Sequence, residues 1–263
     1  MFTALLDDPG RLLNREIHGD ELGTSHLSVR LGLNRLQQLG SHWIEMSSPV
    51  YEYHYFGHRG IRGRHIRTIL RDQKIPFVEH VHDHDNWEDF KATLPFGSTL
   101  PLLKDGDFTL LQSNAILRYL GRKHDLYGDN LKEAARIDMI NDGVEDLRIK
   151  FVMQFFMAKD MDESDEAEYV KNIPKSLEPF EKLLAENDGG AGFMVGKKIS
   201  FLDFNLFDIL ETHLQVLDKD CLSEVPLLQA YHERMASRPI IKACRELSTW
   251  SIKNRFHGRT FWV

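Results

Sequence analysis

The feature that most constrains the fold is a change in apolar pattern near residue 124. Between Val50 and about Lys123, stretches that alternate polar and apolar residues, as strands do, are separated by stretches with helical spacing. Beyond residue 130 every apolar stretch has helical spacing. The chain is therefore predicted to fold as a small α/β domain followed by an all-helical domain. We divide the chain into an N-terminal extension (1–46), a first domain (47–124) and a second domain (131–263).

The first domain is predicted to contain a parallel unit followed by a hairpin. VYEYHYF (50–56) and PFVEHV (76–81) alternate like strands, and RHIRTILRDQ (64–73) between them has helical spacing, which predicts a β-α-β unit. TLPLLKDGDFTLL (99–111) predicts a hairpin that turns at Asp105-Gly106, where glycine permits a positive φ.

The remaining elements are predicted to be helices. Helical spacing is found over 113–124, 132–160, 166–187, 200–218 and 226–239. Ser200 and Asp203 have the spacing of a capping box, in which each side chain satisfies a free backbone donor at the helix start. We interpret this pair as a folding signal and not as a functional site.

Composition excludes several classes of protein. The chain has 33 basic and 40 acidic residues, a net charge of −7, which argues against a nucleic-acid binder that neutralises phosphates. No apolar run approaches the roughly 18 residues needed to span a bilayer. Cys221 and Cys244 are the only cysteines, so no disulfide framework is expected and a reducing, cytoplasmic location is favoured.

Seven segments carry a resemblance to a known family. In order they are YFGHRG, WEDFK, the LP before the hairpin, LQSNAILRYLGR, DMINDGVEDLR, VGKKISFLDFNLFD and VPLLQAYHERMASRP. Their order and spacing over about residues 50–247 resemble cytosolic glutathione transferases, and the pi class most closely. TLPFG (93–97) also resembles the sigma class. The resemblance implies a thioredoxin-like domain that binds glutathione as co-substrate, a helical domain with an electrophile pocket, and a homodimer.

The resemblance assigns catalysis to Tyr55. A thiol with a pKa near ~8.5 is only a few per cent ionised at neutral pH, so the enzyme must favour the thiolate. A neutral hydroxyl that donates a hydrogen bond to sulfur does this. Tyr55, at the end of the first predicted strand, matches the family's catalytic tyrosine. Tyr51 and Tyr53 share its strand face and are the alternatives.

The resemblance also implies a set of glutathione contacts. Gln112 and Ser113 match the γ-glutamyl site, and Ser113 is predicted to start a helix, whose amino terminus favours an anion. Trp87 and Lys91 match contacts to the glycine end. Leu100-Pro101 matches a dipeptide with a cis proline, where Leu100 would pair with the cysteinyl residue.

An acidic residue is implied to reach the ligand of the neighbouring subunit. Asp146, next to Glu145, matches the acid that contacts the glutamyl amine there. The alternative is an ordinary pair on the helix surface with Arg148 or Lys150.

The chain departs from the family pattern after the first strand. Counting back from Asp72-Gln73, the family spacing would place the catalytic tyrosine at Phe56, so the stretch 57–64 contains one extra residue. The arginine that contacts the peptide is therefore Arg59, Arg62 or Arg64, and we take Arg62.

A second departure precedes the hairpin. GSTLP (97–101) replaces a glutathione-binding glutamine by Ser98-Thr99, and Phe156 stands where pi enzymes carry a tyrosine. The resemblance builds the electrophile pocket from Phe56, His58 and Phe156. It places Phe96 at the dimer interface.

No metal is expected from the sequence alone. His80, His82 and His84 alternate, but they run into an acidic loop, with no distant Cys or His set at ligand spacing. The extension over 1–46 has no counterpart in the family, and we predict that it is poorly ordered.

The leading hypothesis is an enzyme that conjugates glutathione to small hydrophobic electrophiles. The two departures and the extension motivate an alternative, a related binding or interaction protein with little catalysis. A third, a glutathione-dependent isomerase, rests on the sigma-like TLPFG.

Overall fold

The computed structural model describes residues 50–56, 61–82, 84–94, 99–157, 163–217 and 219–246, except for the side chains at 84–86, 156, 163 and 219. The predicted extension over 1–46 therefore lies outside the described residues. So do His58, Arg59, Phe96, Ser98 and the side chains of His84 and Phe156.

The described strands form one mixed sheet in the order β2-β1-β3-β4. Strand β1 (Tyr51–Phe56) pairs in parallel with β2 (Phe77–His82) and antiparallel with β3 (Leu102–Asp105). Strand β3 pairs antiparallel with β4 (Phe108–Leu111). The predicted β-α-β unit and hairpin are thus confirmed, and Gly106 in the turn has φ +59°.

Helices α1 (Arg64–Asp72), α2 (His84–Ala92) and α3 (Ser113–Lys123) accompany the sheet. The sequence analysis predicted α1 and α3 but not α2. Over its nine residues, α2 has only Trp87 and Phe90 as large apolar side chains, so it lacks the apolar stripe that identifies an amphipathic helix.

Beyond α3 the described chain is helical. Its α-helices are α4 (Leu131–Val152), α5 (Glu163–Glu186), α6 (Phe201–Val216), α7 (Pro226–Ala236) and α8 (Pro239–Arg245). The helix predicted over 226–239 ends at Ala236, and a further helix, α8, begins at Pro239, which lacks a backbone N–H and occupies the first helical position. An α/β part followed by an all-α part confirms the predicted fold class.

The centre of the helical part is α6. Its residues from Phe201 to His213 are all buried, and it packs against α4 and against α1 below the sheet. It therefore joins the two parts of the fold. No helix in the described ranges combines the length and apolar character needed to cross a membrane.

The start of α6 is fixed by Asp203, which confirms the capping box. Its carboxylate accepts hydrogen bonds from the Ser200 N–H (2.8 Å) and hydroxyl (2.9 Å), the Met194 N–H (2.9 Å) and the Tyr231 hydroxyl (2.9 Å). Asp203 is fully buried.

Replacement of Asp203 by alanine is expected to lower the free energy of unfolding by about 3 kcal/mol or more, because it leaves several buried donors without acceptors. Urea denaturation measures this loss. Asp129→Ala is the matched control, since exposed Asp129 makes a surface pair with Lys198 (2.7 Å), and such solvent-screened pairs contribute little to stability. Equal losses in the two variants would contradict a special role for the cap.

Candidate functional site

Three tyrosines share the face of β1 that packs on the helices, and their hydroxyls differ in partners. The Tyr51 hydroxyl lies 2.9 Å from Nε2 of His124, and the Tyr53 hydroxyl donates to the Gly63 carbonyl at 2.9 Å. The Tyr55 hydroxyl accepts a hydrogen bond from the Arg62 backbone N–H at 3.2 Å. Within the described residues the Tyr55 hydroxyl has no acceptor for its own proton.

The surroundings of Tyr55 keep this proton in place. Its side chain is 6% exposed, and burial raises the pKa of Tyr55 although the Arg62 N–H opposes the shift. The phenol is thus a neutral donor throughout the physiological pH range. This distinguishes Tyr55 from Tyr53, whose proton is already donated to a carbonyl.

The turn that contacts Tyr55 requires a glycine. A Cβ on Gly63 would lie 2.5 Å from the Tyr53 hydroxyl oxygen and 2.6 Å from Cδ1 of Tyr55. Gly63 is also the N-cap of α1, where it makes no side-chain cap bond. The sequence analysis missed this residue, and its signal is a glycine at a helix start where a capping side chain is usual.

The structure separates two of the three candidate arginines. Arg64 is buried, and its guanidinium binds Asp208 (2.5 Å) and the Thr212 hydroxyl (2.7 Å). Arg62 is 38% exposed at its side chain, with Nη1 2.7 Å from Glu145. The geometry thus leaves Arg62 accessible beside Tyr55 and gives Arg64 a structural role, while Arg59 lies outside the described residues.

Arg148 holds this turn against the helical part. It is fully buried, and its Nη1 donates to the Ile61 carbonyl (2.6 Å) and to Asp208 (2.9 Å). Its Nε donates to Glu145 (3.1 Å), which in turn binds Arg62. Sequence reasoning considered Arg148 only as a surface partner, and it missed that this residue positions the turn.

The two carboxylates of this network are ionised. Burial favours the protonated form of Asp208, but Arg64, His65 and Arg148 outweigh it and hold the pKa of Asp208 well below its usual range. Burial likewise opposes ionisation of Glu145, yet Arg148 and Arg62 lower its pKa. The network is therefore a set of buried ion pairs at neutral pH.

The amino terminus of α3 is free to bind an anion. Gln112, its N-cap, has φ +73°, an uncommon conformation for a non-glycine residue, and makes no side-chain cap bond. Ser113, the first helical residue, is 5% exposed, and its hydroxyl has no partner within the described residues. The first N–H groups of α3 therefore remain available.

The next residue of α3 is fixed from the helical part. Asn114 accepts a hydrogen bond from Asn141 on α4 (2.9 Å), and Asn141 accepts one from Asn205 on α6 (2.8 Å). The sequence analysis did not identify this chain of amides. These amides link the amino terminus of α3 to α4, which carries Arg148, and to α6, which Arg148 binds.

Strand register brings the predicted residues to one end of the sheet. Because His54 pairs with Leu102 and Leu102 with Leu111, the end of β1 lies beside the start of β3 and the end of β4. Tyr55, the cis Leu100–Pro101 bond and Ser113 therefore lie at the same end. Thr99 is exposed and Leu100 is buried.

Helix α2 adds an aromatic group at this end. Phe56 pairs with His82 at the end of β2, and Trp87 on α2 packs edge-to-face on Phe56, with ring centroids 4.9 Å apart. Lys91 follows one helical turn later and is half-buried, with Nζ 3.7 Å from Glu88. Phe56 and Trp87 are thus in contact, as a shared site requires.

Asp146 is placed differently from its neighbour. Glu145 is buried in the Arg148 network, whereas Asp146 is exposed on α4 and makes no ion pair with any described residue. The alternative predicted for Asp146, an ordinary surface pair with Arg148 or Lys150, is therefore not found among the described residues. Arg148 pairs instead with Glu145, and that pair is buried.

This arrangement can stabilise two kinds of anion at one end of the sheet. A buried phenol with a free proton, beside a backbone N–H and a guanidinium, favours a thiolate over a thiol. An uncapped helix amino terminus with a serine hydroxyl favours a carboxylate.

Comparisons with known proteins agree with this geometry. Residues 51–122 match the family described as glutathione S-transferase, N-terminal domain, and residues 145–246 match glutathione S-transferase, C-terminal domain. Glutathione S-transferase P 1 of Bufo bufo is 49% identical over 197 residues, which cover 74% of this chain and 91% of the relative. Glutathione S-transferase P of Homo sapiens is 46% identical with the same coverage.

Solved structures give the same result. The pi-class glutathione S-transferase of Onchocerca volvulus superposes with a TM-score of 0.69 at 40% identity and covers 74% of this chain and 92% of its own. The glutathione S-transferase of Ascaris lumbricoides has a TM-score of 0.67 at 31% identity, with 76% and 100% covered. The chain belongs to the glutathione S-transferase family, and its relatives are of the pi class.

Proposed function

We propose that this protein conjugates reduced glutathione to small hydrophobic electrophiles, with the Tyr55 hydroxyl donating a hydrogen bond to the glutathione thiolate. The observation that carries the proposal is the Tyr55 hydroxyl proton, which has no acceptor among the described residues, at the end of the sheet where an uncapped helix also begins. Stabilising the thiolate and holding it near the electrophile would both accelerate the reaction.

The tripeptide would lie across the end of the sheet. Gln112 and Ser113 would bind its γ-glutamyl carboxylate at the start of α3, and Leu100 would pair with its cysteinyl residue. Trp87 and Lys91 would contact its glycine end, with Lys91 supplying a positive charge for the second carboxylate. Arg62 would contact the peptide, and Phe56, His58 and Phe156 would line the electrophile pocket.

We further propose a homodimer in the cytoplasm. Exposed apolar side chains support the dimer, among them Phe108 on β4 (49% exposed) and Met139 on α4 (56% exposed). In such a dimer Asp146 would reach the partner's glutathione and Phe96 would lie at the interface. Free, buried Cys221 and Cys244 are consistent with a reducing compartment.

Glutathione binding tests the proposal directly. Ser113→Ala is expected to weaken the affinity for glutathione by about 10-fold or more, because it removes a hydrogen bond to a carboxylate. Isothermal titration measures the dissociation constant. Ser223→Ala is the matched control, since exposed Ser223 follows the 3-10 turn Lys219–Leu222 and belongs to no part of the proposed site.

Conjugation to an activated aryl chloride then separates the proposed enzyme from a binding protein. Turnover that falls in Ser113→Ala and persists in Ser223→Ala supports the proposal. Tight binding without turnover would favour a binding role. If the wild-type protein does not bind glutathione, the proposed site is wrong.

A further inference from the structure

The face of β1 opposite the tyrosines carries a cluster of imidazoles. Glu52 and His54 alternate with Tyr51, Tyr53 and Tyr55, so they point to the other side of the sheet. His80 on β2 is the register partner of His54. Three potential ligands thus come from two adjacent strands.

Their spacing matches that of a metal site. Nε2 of His54 and Nε2 of His80 lie 3.5 Å and 3.4 Å from Oε2 of Glu52, and the three ligand atoms lie within 4.8 Å of one another. In a tetrahedral zinc site with bonds near 2.0–2.1 Å, ligand atoms are about 3.4 Å apart. Because the His54 and His80 rings are stacked with an interplanar angle of 12°, the His80 ring, 40% exposed at its side chain, would have to rotate out of this stack to direct its Nε2 at a shared ion.

One of these atoms is buried without a hydrogen bond. His54 is 5% exposed, and its Nε2 makes no hydrogen bond to any described group. Its ring is stacked between His80, at 4.4 Å, and Phe90 of α2, at 5.0 Å between centroids. This nitrogen lies 3.5 Å from a carboxylate oxygen of Glu52 but makes no hydrogen bond to it, so its bonding capacity is unused.

His82 fixes the orientation of the His54 ring. Nδ1 of His54 lies 3.0 Å from Nε2 of His82. When His54 donates its proton in this bond, the lone pair of its Nε2 points at Glu52, as in metal-ligating histidines, whose second nitrogen is held by an outer partner.

We propose that Glu52, His54 and His80 bind a divalent transition-metal ion of the Zn²⁺ type, with His82 as a positioning residue and water in the remaining position. Two imidazole nitrogens and one carboxylate oxygen suit such an ion better than Mg²⁺ or Ca²⁺, which prefer oxygen ligands. The sequence analysis expected no metal, because it weighed His80, His82 and His84 without the strand partner His54.

Lys104 lowers the affinity of the proposed site for a cation. Its Nζ lies 3.6 Å from Oε2 of Glu52, from the neighbouring strand β3. The ammonium group competes with a cation for this carboxylate, and because its side chain is 35% exposed it can turn into solvent when an ion binds. Removal of this charge therefore strengthens metal binding, whereas removal of a ligand weakens it.

The test is a titration of the full-length protein with Co²⁺, followed by displacement with Zn²⁺. The wild type is expected to bind one Co²⁺ per chain with the visible absorption of a low-symmetry site, which Zn²⁺ abolishes. His80→Gln is expected to weaken this binding at least 10-fold, and Lys104→Gln to tighten it severalfold. Saturating Zn²⁺ is expected to raise the wild-type Tm by about 5 °C, but not that of His80→Gln.

The two variants keep the proposal falsifiable. His80 is partly exposed and outside the proposed glutathione site, so unchanged glutathione affinity in His80→Gln verifies the fold. Equal Co²⁺ binding in the wild type and His80→Gln would place the ion elsewhere among the 13 histidines and overturn the proposal. Absence of the Co²⁺ spectrum in the wild type and in Lys104→Gln would overturn it as well.

Discussion

Tyr55→Phe is expected to raise the pKa of the bound glutathione thiol from about 6.5 to about 8.5, its value in water. The reason is the free hydroxyl proton of Tyr55, which the phenylalanine ring lacks. A shift of about 2 units corresponds to roughly 2.7 kcal/mol of preference for the thiolate. Ultraviolet absorbance of the bound thiolate, titrated against pH, measures this value without any second substrate.

The same substitution predicts a pH-dependent loss of activity. At pH 6.5 about half of the wild-type thiol is ionised but only about one per cent in the variant, so turnover falls about 50-fold. At pH 8.5 the thiolate fractions differ only about twofold, so most of the difference in turnover between the wild type and the variant disappears.

Tyr53→Phe is the matched control for this experiment. It removes a neighbouring hydroxyl on the same strand face, one that is bound to the Gly63 carbonyl. We expect it to cost stability and to leave the thiol pKa near 6.5. A thiol pKa unaffected by Tyr55→Phe, or affected equally by both variants, would contradict the assignment to Tyr55.

The second large effect is expected for Arg148→Met. The variant is expected to lose about 3–5 kcal/mol of unfolding free energy at pH 7, because it leaves the buried carboxylates of Asp208 and Glu145 without one of their guanidinium partners. The Ile61 carbonyl also loses its donor. Urea denaturation followed by circular dichroism measures the loss.

The pH dependence of this loss has a defined sign. The folded-state pKa of Asp208 and of Glu145 is lowered, so each ion pair stabilises the protein above the unfolded-state pKa near 4 and loses that effect as pH falls. The difference between the wild type and Arg148→Met is therefore expected to be full at pH 7 and to shrink below about pH 4.

Arg118→Met is the control for Arg148→Met. Arg118 on α3 also pairs with two carboxylates, those of Asp138 and Asp142 on α4 (2.6 Å each). These pairs lie at the protein surface, where an ion pair contributes about 1 kcal/mol or less. If the two variants lost similar free energy, burial of the Arg148 network would not be the source of its effect.

The elements that repeat a pattern were predictable from sequence. The tyrosine strand, the hairpin at Asp105-Gly106 and the capped α6 each have a local signal: alternation, a turn glycine, or the Ser200–Asp203 pair. Gln112 and Ser113 were predicted as glutathione contacts from the family resemblance. The structure shows in addition that the helix beginning there has no side-chain cap.

The features that were missed depend on contacts between distant segments. Gly63 is required because two tyrosine rings lie against it, and Arg148 is buried because its distant partners come from α6 and from the turn before α1. His54 joins His80 only through strand pairing. The residues that contact Gly63, Arg148 and His54 are far away in the sequence. The local pattern therefore predicts only a surface charge at Arg148 and an ordinary strand residue at His54.

The alternation of β1 has a consequence for how its sequence can change. An insertion within the strand would exchange its two faces and bury Glu52 and His54 where Tyr53 and Tyr55 now lie. The extra residue inferred for 57–64 follows Phe56, so it leaves this assignment intact. A change of length immediately after Phe56 is thus compatible with both faces of the strand, whereas a one-residue deletion or insertion between Tyr51 and Tyr55 would disrupt the proposed thiolate and metal sites together.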